Sequence, residues 1–134
     1  MIDFKKFIRS FGYAARGACQ LVSREQNARI HLFATVAVIV AGVLFGLNRY
    51  EWLGICVAIA MVWCAEAFNT AIEKLVDMVS PEHRRQAGLV KDIAAGGVLI
   101  CAVAAFIIAL LVFMPHIKCE KSGSPEQLFL VTNY

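Results

Sequence analysis

The sequence predicts an all-α membrane protein, an amphipathic surface helix followed by three transmembrane helices. Two observations carry most of that prediction. Hydrophobic residues make up 60% of the 134, against roughly 45–50% in ordinary soluble domains, and mean hydropathy is +0.67. Three stretches are also apolar over membrane-like lengths. Residues 32–47 and 93–114 carry no charge, and 52–72 is interrupted only by Glu66 and Asn69. A bilayer core of ~30 Å needs about 20 helical residues. With no water to satisfy backbone groups, such segments are helices rather than open strands. The length fits one domain. It divides into a surface helix over about 2–24, spans over about 29–48, 52–76 and 92–114, and a tail over 115–134.

The surface helix comes first. Phe4, Phe7, Ile8, Phe11, Ala15, Ala18 and Val22 recur at helical spacing, with Lys5, Lys6, Arg9 and Arg16 around them. That stretch is too polar to span, and its aromatic face suits a membrane interface. Its basic residues suit lipid headgroups or nucleotide phosphates. No apolar core with an Ala-x-Ala-like cleavage site marks it as a signal peptide. Residues 23–31, SREQNARIH, then place Glu25, Asn27, Arg29 and His31 just ahead of the first span. Alone, Glu25 reads as a solvated flank charge and His31 as an interface histidine.

Residues 48–51, NRYE, are a connection short enough to make the first two spans antiparallel neighbours. Tyr50 and Trp52 read as aromatic anchors. The second span runs into AEAFNTAIEKLVD, where Glu66, Asn69, Glu73 and Asp77 follow one another at spacings of 3, 4 and 4. With 3.6 residues per turn they share one stripe. Carboxylates at the end of a membrane helix are costly and mark a functional site. Glu66 lies about 21 Å along the axis from Trp52, and Glu73 about 31 Å, at 1.5 Å per residue.

Ser80-Pro81-Glu82 reads as a helix stop or restart, and Gly88 as a break before Lys91-Asp92 and the third span. Ala94, Ala95, Gly96, Gly97, Ala102, Ala104 and Ala105 suit close helix packing. Cys19, Cys56, Cys64, Cys101 and Cys119 form no CxxC pair and read as small core residues. The tail, with an apolar patch over 128–131, receives no role.

Ten basic residues flank the N-terminal helix and the 78–92 connection: Lys5, Lys6, Arg9, Arg16, Arg24, Arg29, Lys74, Arg84, Arg85 and Lys91. Only Arg49, Lys118 and Lys121 fall on the other side. The positive-inside rule puts the N-terminus and that connection in the cytoplasm, and the C-terminus outside. Glu25, the 66–77 stripe and Lys91-Asp92 then meet at the cytoplasmic interface. Clustered carboxylates are hard oxygen ligands for Mg²⁺, which takes one or two of them with substrate phosphates. A carboxylate lying deeper is placed to receive a proton from a lipid hydroxyl. The arrangement suits phosphoryl transfer from a nucleotide to a membrane alcohol. No P-loop, HRD or DFG motif is present. Two other readings stay open, a small ion-coupled transporter and a non-catalytic membrane assembly subunit.

The chain resembles the prokaryotic integral-membrane diacylglycerol kinase and undecaprenol kinase family. The resemblance rests on Glu66-x-x-Asn69-Thr70-Ala71-Ile72-Glu73-x-x-Val76-Asp77. It extends to Gly12-Tyr13, Glu25-x-Asn27-x-Arg29-Ile30-His31, Glu51-Trp52 and Lys91-Asp92-x-Ala94-Ala95. It implies a homotrimer in the bacterial inner membrane with sites shared between protomers, acting on ATP with Mg²⁺ and binding no nucleic acid. Its reaction phosphorylates diacylglycerol or undecaprenol, feeding phospholipid or cell-envelope lipid-carrier metabolism. By the same resemblance Glu66 is the catalytic base, and Glu25 and Glu73 are metal ligands. Lys6, Tyr13, Glu25, Glu73, Glu82, His83, Arg84, Lys91 and Asp92 contact the nucleotide, with Asn69 and Asp77 as supporting polar groups. Lys6, Asn27, Arg29, His31, Trp52 and Glu66 would face the lipid. Lys6 stands where some members have Arg, and His83-Arg84-Arg85-Gln86 departs from the His-Pro-Leu-Ala type of one branch. The Glu25–His31, Glu51-Trp52 and Asn69–Glu73 details lean towards the undecaprenol branch.

Overall fold

The computed structural model describes residues 4–82 and 84–121, and for 118–121 the backbone alone. His83, the Cys119, Lys118 and Lys121 side chains, and the apolar patch of the tail therefore lie outside the described residues. Four helices follow in order: α1 (Phe4–Arg24), α2 (Gln26–Leu44), α3 (Arg49–Val79) and α4 (Arg85–Lys121). Among the described residues there is no strand. The helices α2, α3 and α4 are each long and apolar enough to cross a membrane.

Helix α1 ends where its chain turns into the first span. Glu25 is extended (φ −99°, ψ 126°) and stands at the N-cap of α2. The Arg29 side chain reaches back to donate to the carbonyls of Val22 and Ser23. Those are carbonyls of the last turn of α1, which have no partner within their own helix. Phe4, Phe7 and Phe11 stay exposed along one face, Phe7 and Phe11 meeting edge to face. Leu21 near the C-terminal end is buried.

The α2–α3 connection is built by two capping motifs. Gly46 has φ +65°, a conformation glycine adopts without a Cβ clash. The Leu47 amide donates to Gly42 and the Gly46 amide to Val43, which together form a Schellman C-cap. Asn48 Oδ1 then accepts from the amides of Tyr50 and Glu51, while Glu51 Oε2 accepts from the Asn48 amide. This is the reciprocal capping box. The connection is therefore 45–48, and Arg49, Tyr50 and Glu51 already belong to α3. Trp52 packs on the small residue that this turn brings opposite it. A Cβ at Gly42 would lie 2.8 Å from the indole.

Two α3 contacts show how the three long helices align. Trp63 Nε1 donates to Thr35 Oγ1 at 3.0 Å, joining α3 to α2. At the far end His116 on α4 lies 3.6 Å from Glu51 on α3, with its ring near Phe45. The buried residues form a strip along α3: Ile55, Ala58, Val62, Glu66, Asn69 and Thr70.

Gly88 does not break the chain. Helix α4 starts at Arg85, and the Gly88 amide donates to the Arg84 carbonyl at 3.2 Å. Glycine in a helix costs under about 1 kcal/mol, and one turn later Lys91 pairs with Asp77 of α3. Pro115 lies inside α4.

Candidate active site

The stripe on α3 becomes a graded series once α2 and α4 are in place. Glu66 is 1% exposed and Asn69 4%, whereas Asp77 lies at the exposed end. Glu66 faces a cleft of about 240 Å³. Asn27, Ile30 and His31 of α2 wall it on one side, and Ala95, Val98, Leu99 and Ala102 of α4 on the other. His31 Nε2 is 3.9 Å from Glu66 Oε2. That oxygen has no hydrogen-bond partner, and neither has Asn69 Oδ1. Buried acceptors without partners are rare. Here two of them sit side by side at a cleft, which favours a ligand that brings its own donor. The other end of Asn69 is engaged, its Nδ2 donating to Glu73 Oε1 at 3.0 Å.

Below this cleft lies a second, apolar groove of about 260 Å³ between the same three helices. His31 and Ala102 line both spaces. Ala34, Ala58, Ala105 and Ala109 widen the groove with small side chains. The cleft that holds the Glu66 carboxylate thus adjoins an apolar slot.

At the exposed end of α3 the carboxylates are paired. Lys74 Nζ donates to Glu25 Oε1 at 2.6 Å, and Lys91 donates to Asp77. Arg84 and Glu82 pair at 3.2 Å. Asp77, Ser80, Glu82, Arg84, Arg85 and Lys91 line a third space of about 220 Å³. Three cations around one opening suit phosphate oxygens. Glu25 and Glu73 lie near enough to Glu66 for their charges to act on it. Among the described residues no three His, Cys, Asp or Glu side chains are grouped as a metal cage.

The structure thus brings Glu66, Asn69, Glu73, Asn27, His31 and Glu25 into one region, with Asp77, Glu82, Arg84 and Lys91 at its charged end. Others stand apart. Trp52 is fourteen residues from Glu66 on α3, about 21 Å along the axis, and packs on Gly42 at the opposite end. Arg29 is committed to the end of α1. Lys6 and Tyr13 are exposed on α1 and Asp92 on α4, none of them lining the Glu66 cleft. Lys74 was missed by sequence reasoning except as a positive-inside charge. Its partner is set by the α2–α3 register, and no local signal marks it.

The model of the prokaryotic diacylglycerol kinase family matches residues 12–113. The chain belongs to the prokaryotic diacylglycerol kinase family. It is 37% identical over 115 residues to an undecaprenol kinase of Bacillus subtilis, covering 86% of this chain and 94% of that one. A diacylglycerol kinase of Synechocystis is 36% identical over 79% of this chain and 61% of its own. One of Escherichia coli is 24% identical over 84% of this chain and 93% of its own. As a member of the family this chain is a lipid kinase and a prokaryotic membrane protein. The matched region runs from Gly12 on α1 through the three spans and contains Glu25, Glu66, Glu73 and Lys91.

Proposed function

We propose that this kinase transfers the γ-phosphoryl group of Mg·ATP to the hydroxyl of a membrane lipid alcohol at the cytoplasmic face of the bacterial inner membrane. One observation carries the reading. A buried carboxylate oxygen without a partner, Glu66 Oε2, faces a cleft that shares the His31 and Ala102 walls with an apolar slot. The slot suits a lipid tail, and the oxygen suits the proton of the hydroxyl at its head.

Glu66 accepts the lipid hydroxyl proton as general base. The lipid oxygen bonds to the γ-phosphorus in line, and the bond to the bridging oxygen breaks with its electron pair leaving on ADP. Asn69 holds Glu73 by the 3.0 Å hydrogen bond and keeps that carboxylate turned towards the site. Lys91, Arg84 and Arg85 line the charged space and are placed to hold phosphate oxygens. Glu25 and Glu73 would hold Mg²⁺, because they offer hard oxygen donors near the site without closing a cage, the pattern Mg²⁺ shares with substrate phosphates. When bound there the ion would neutralise charge on the transferring group. Lys74 then has to leave Glu25; it is half exposed, and exposed ion pairs contribute only ~0–1 kcal/mol.

Undecaprenol is the favoured alcohol. The Bacillus subtilis enzyme, named for it, aligns over 94% of its length. The apolar helix faces left open on a single chain support a homotrimer, with sites shared between protomers. The basic residues support a cytoplasmic N-terminus.

The test is phosphate transfer from labelled ATP in mixed micelles, with undecaprenol and diacylglycerol offered separately. Labelled lipid that disappears with Glu66→Gln is the expected result, with undecaprenol turned over faster. Folded protein that labels neither alcohol overturns the reading.

A further inference from the structure

Glu66 has to lose its proton again after each transfer, and the walls of its cleft leave little choice of route. From α4 the cleft receives Ala95, Val98, Leu99 and Ala102, none of them titratable. From α3 it receives Asn69, whose amide is taken up by Glu73. From α2 it receives Asn27, Ile30 and His31. The one basic group facing Glu66 among these is the imidazole of His31, 3.9 Å from the oxygen that lacks a partner. Neither Glu25 nor Glu73 lines this cleft.

We infer that His31 is the positioning residue of Glu66: its Nε2, the basic nitrogen facing Oε2 across the cleft, takes over the proton that Glu66 has accepted from the lipid. The inference rests on the function proposed above. The balance is simple. The lipid O–H bond breaks and its proton binds Glu66. The neutral His31 Nε2 then takes that proton, leaving the carboxylate ionised and the imidazole cationic. The imidazolium returns the proton to water before the next turnover. The 3.9 Å gap is longer than the ~2.9 Å of a formed hydrogen bond. Catalytic hydrogen bonds are often long without substrate and tighten in the complex. His31 also lines the apolar slot, so its ring stands where a bound tail would press it towards Glu66.

The experiment compares wild type, His31→Ala, His31→Gln and Glu66→Gln in the same micelles, with kcat and lipid KM measured separately. His31→Ala is expected to lower kcat about 100-fold, in the range for a lost acid–base group, while lipid KM changes less than threefold. Added imidazole should restore a large part of kcat in His31→Ala and none in Glu66→Gln. His31→Gln keeps a polar group without a basic nitrogen and should stay as slow as His31→Ala. A kcat within twofold of wild type in either His31 variant overturns the inference, as does loss that appears only in KM. If His31→Ala does not fold, His31→Gln decides. An inactive wild type would instead overturn the proposed function.

Discussion

In the proposed reaction Glu66 is the residue on which the chemistry depends. Glu66→Gln keeps the volume of the side chain and its fit at 1% exposure, but removes the basic oxygen. Turnover should fall at least ~100-fold, with unchanged elution in size-exclusion chromatography. Near wild-type activity would remove Glu66 from the mechanism. Glu73→Gln should raise the Mg²⁺ concentration needed for half-maximal activity several-fold, and an unchanged Mg²⁺ titration would count against ligation. A third residue tests packing rather than chemistry. At Gly42 a new Cβ would lie 2.8 Å from the Trp52 ring and 3.1 Å from Leu47. Gly42→Ala should cost ~1–3 kcal/mol as overpacking, read as a lower thermal midpoint in detergent, while the site at the other end keeps its specific activity.

Among the elements, α2 and α3 show what a sequence can and cannot disclose. The stripe of Glu66, Asn69, Glu73 and Asp77 was legible because it lies within one helix, where spacing fixes direction. The antiparallel pairing was legible from the short connection. The pairs across the two helices were not. Residue 25 meets 74, 31 meets 66 and 35 meets 63, so each step back along α3 is matched by a step forward along α2. That register comes from packing, and it gave Glu25 a lysine partner that its own flank did not suggest. Arg29 was read towards the lipid, yet it satisfies α1 carbonyls, a need that exists only once the chain turns at Glu25. Gly88 was read as a break because its own propensity was weighed without the Lys91–Asp77 pair. The Asn48-x-x-Glu51 cap is legible in the sequence as a capping box, since both partners lie within four residues. The Trp63–Thr35 bond offers a test at this scale. Thr35→Val should lower stability by ~0.6–1.7 kcal/mol, the range for hydrogen bonds between membrane helices, measured by unfolding in mixed micelles. No loss would show that the bond does not hold the register.

The whole molecule is a single chain whose long helices leave most of their apolar surface open. Phe33, Val43, Leu44, Ile100 and Leu111 are among the large side chains that remain exposed. In a membrane those faces meet lipid or other copies of the chain. The homotrimer predicts a protein mass three times 14.7 kDa in the detergent complex, by light scattering with the detergent contribution subtracted. A mass of one chain would place all site residues within a single protomer.

Helix α3 has 31 residues, about 46 Å at 1.5 Å per residue, against a hydrocarbon core of ~30 Å. Its Trp52 end is pinned by the α2 turn, and Glu66 follows at a fixed height along the same rod. The depth of the carboxylate is therefore a property of the surrounding bilayer as much as of the protein. Host lipids with longer acyl chains draw Glu66 further below the headgroups, and shorter ones lift it clear of them. The enzyme is in effect a ruler, and its rate should pass through a maximum as the acyl-chain length of the host membrane is varied.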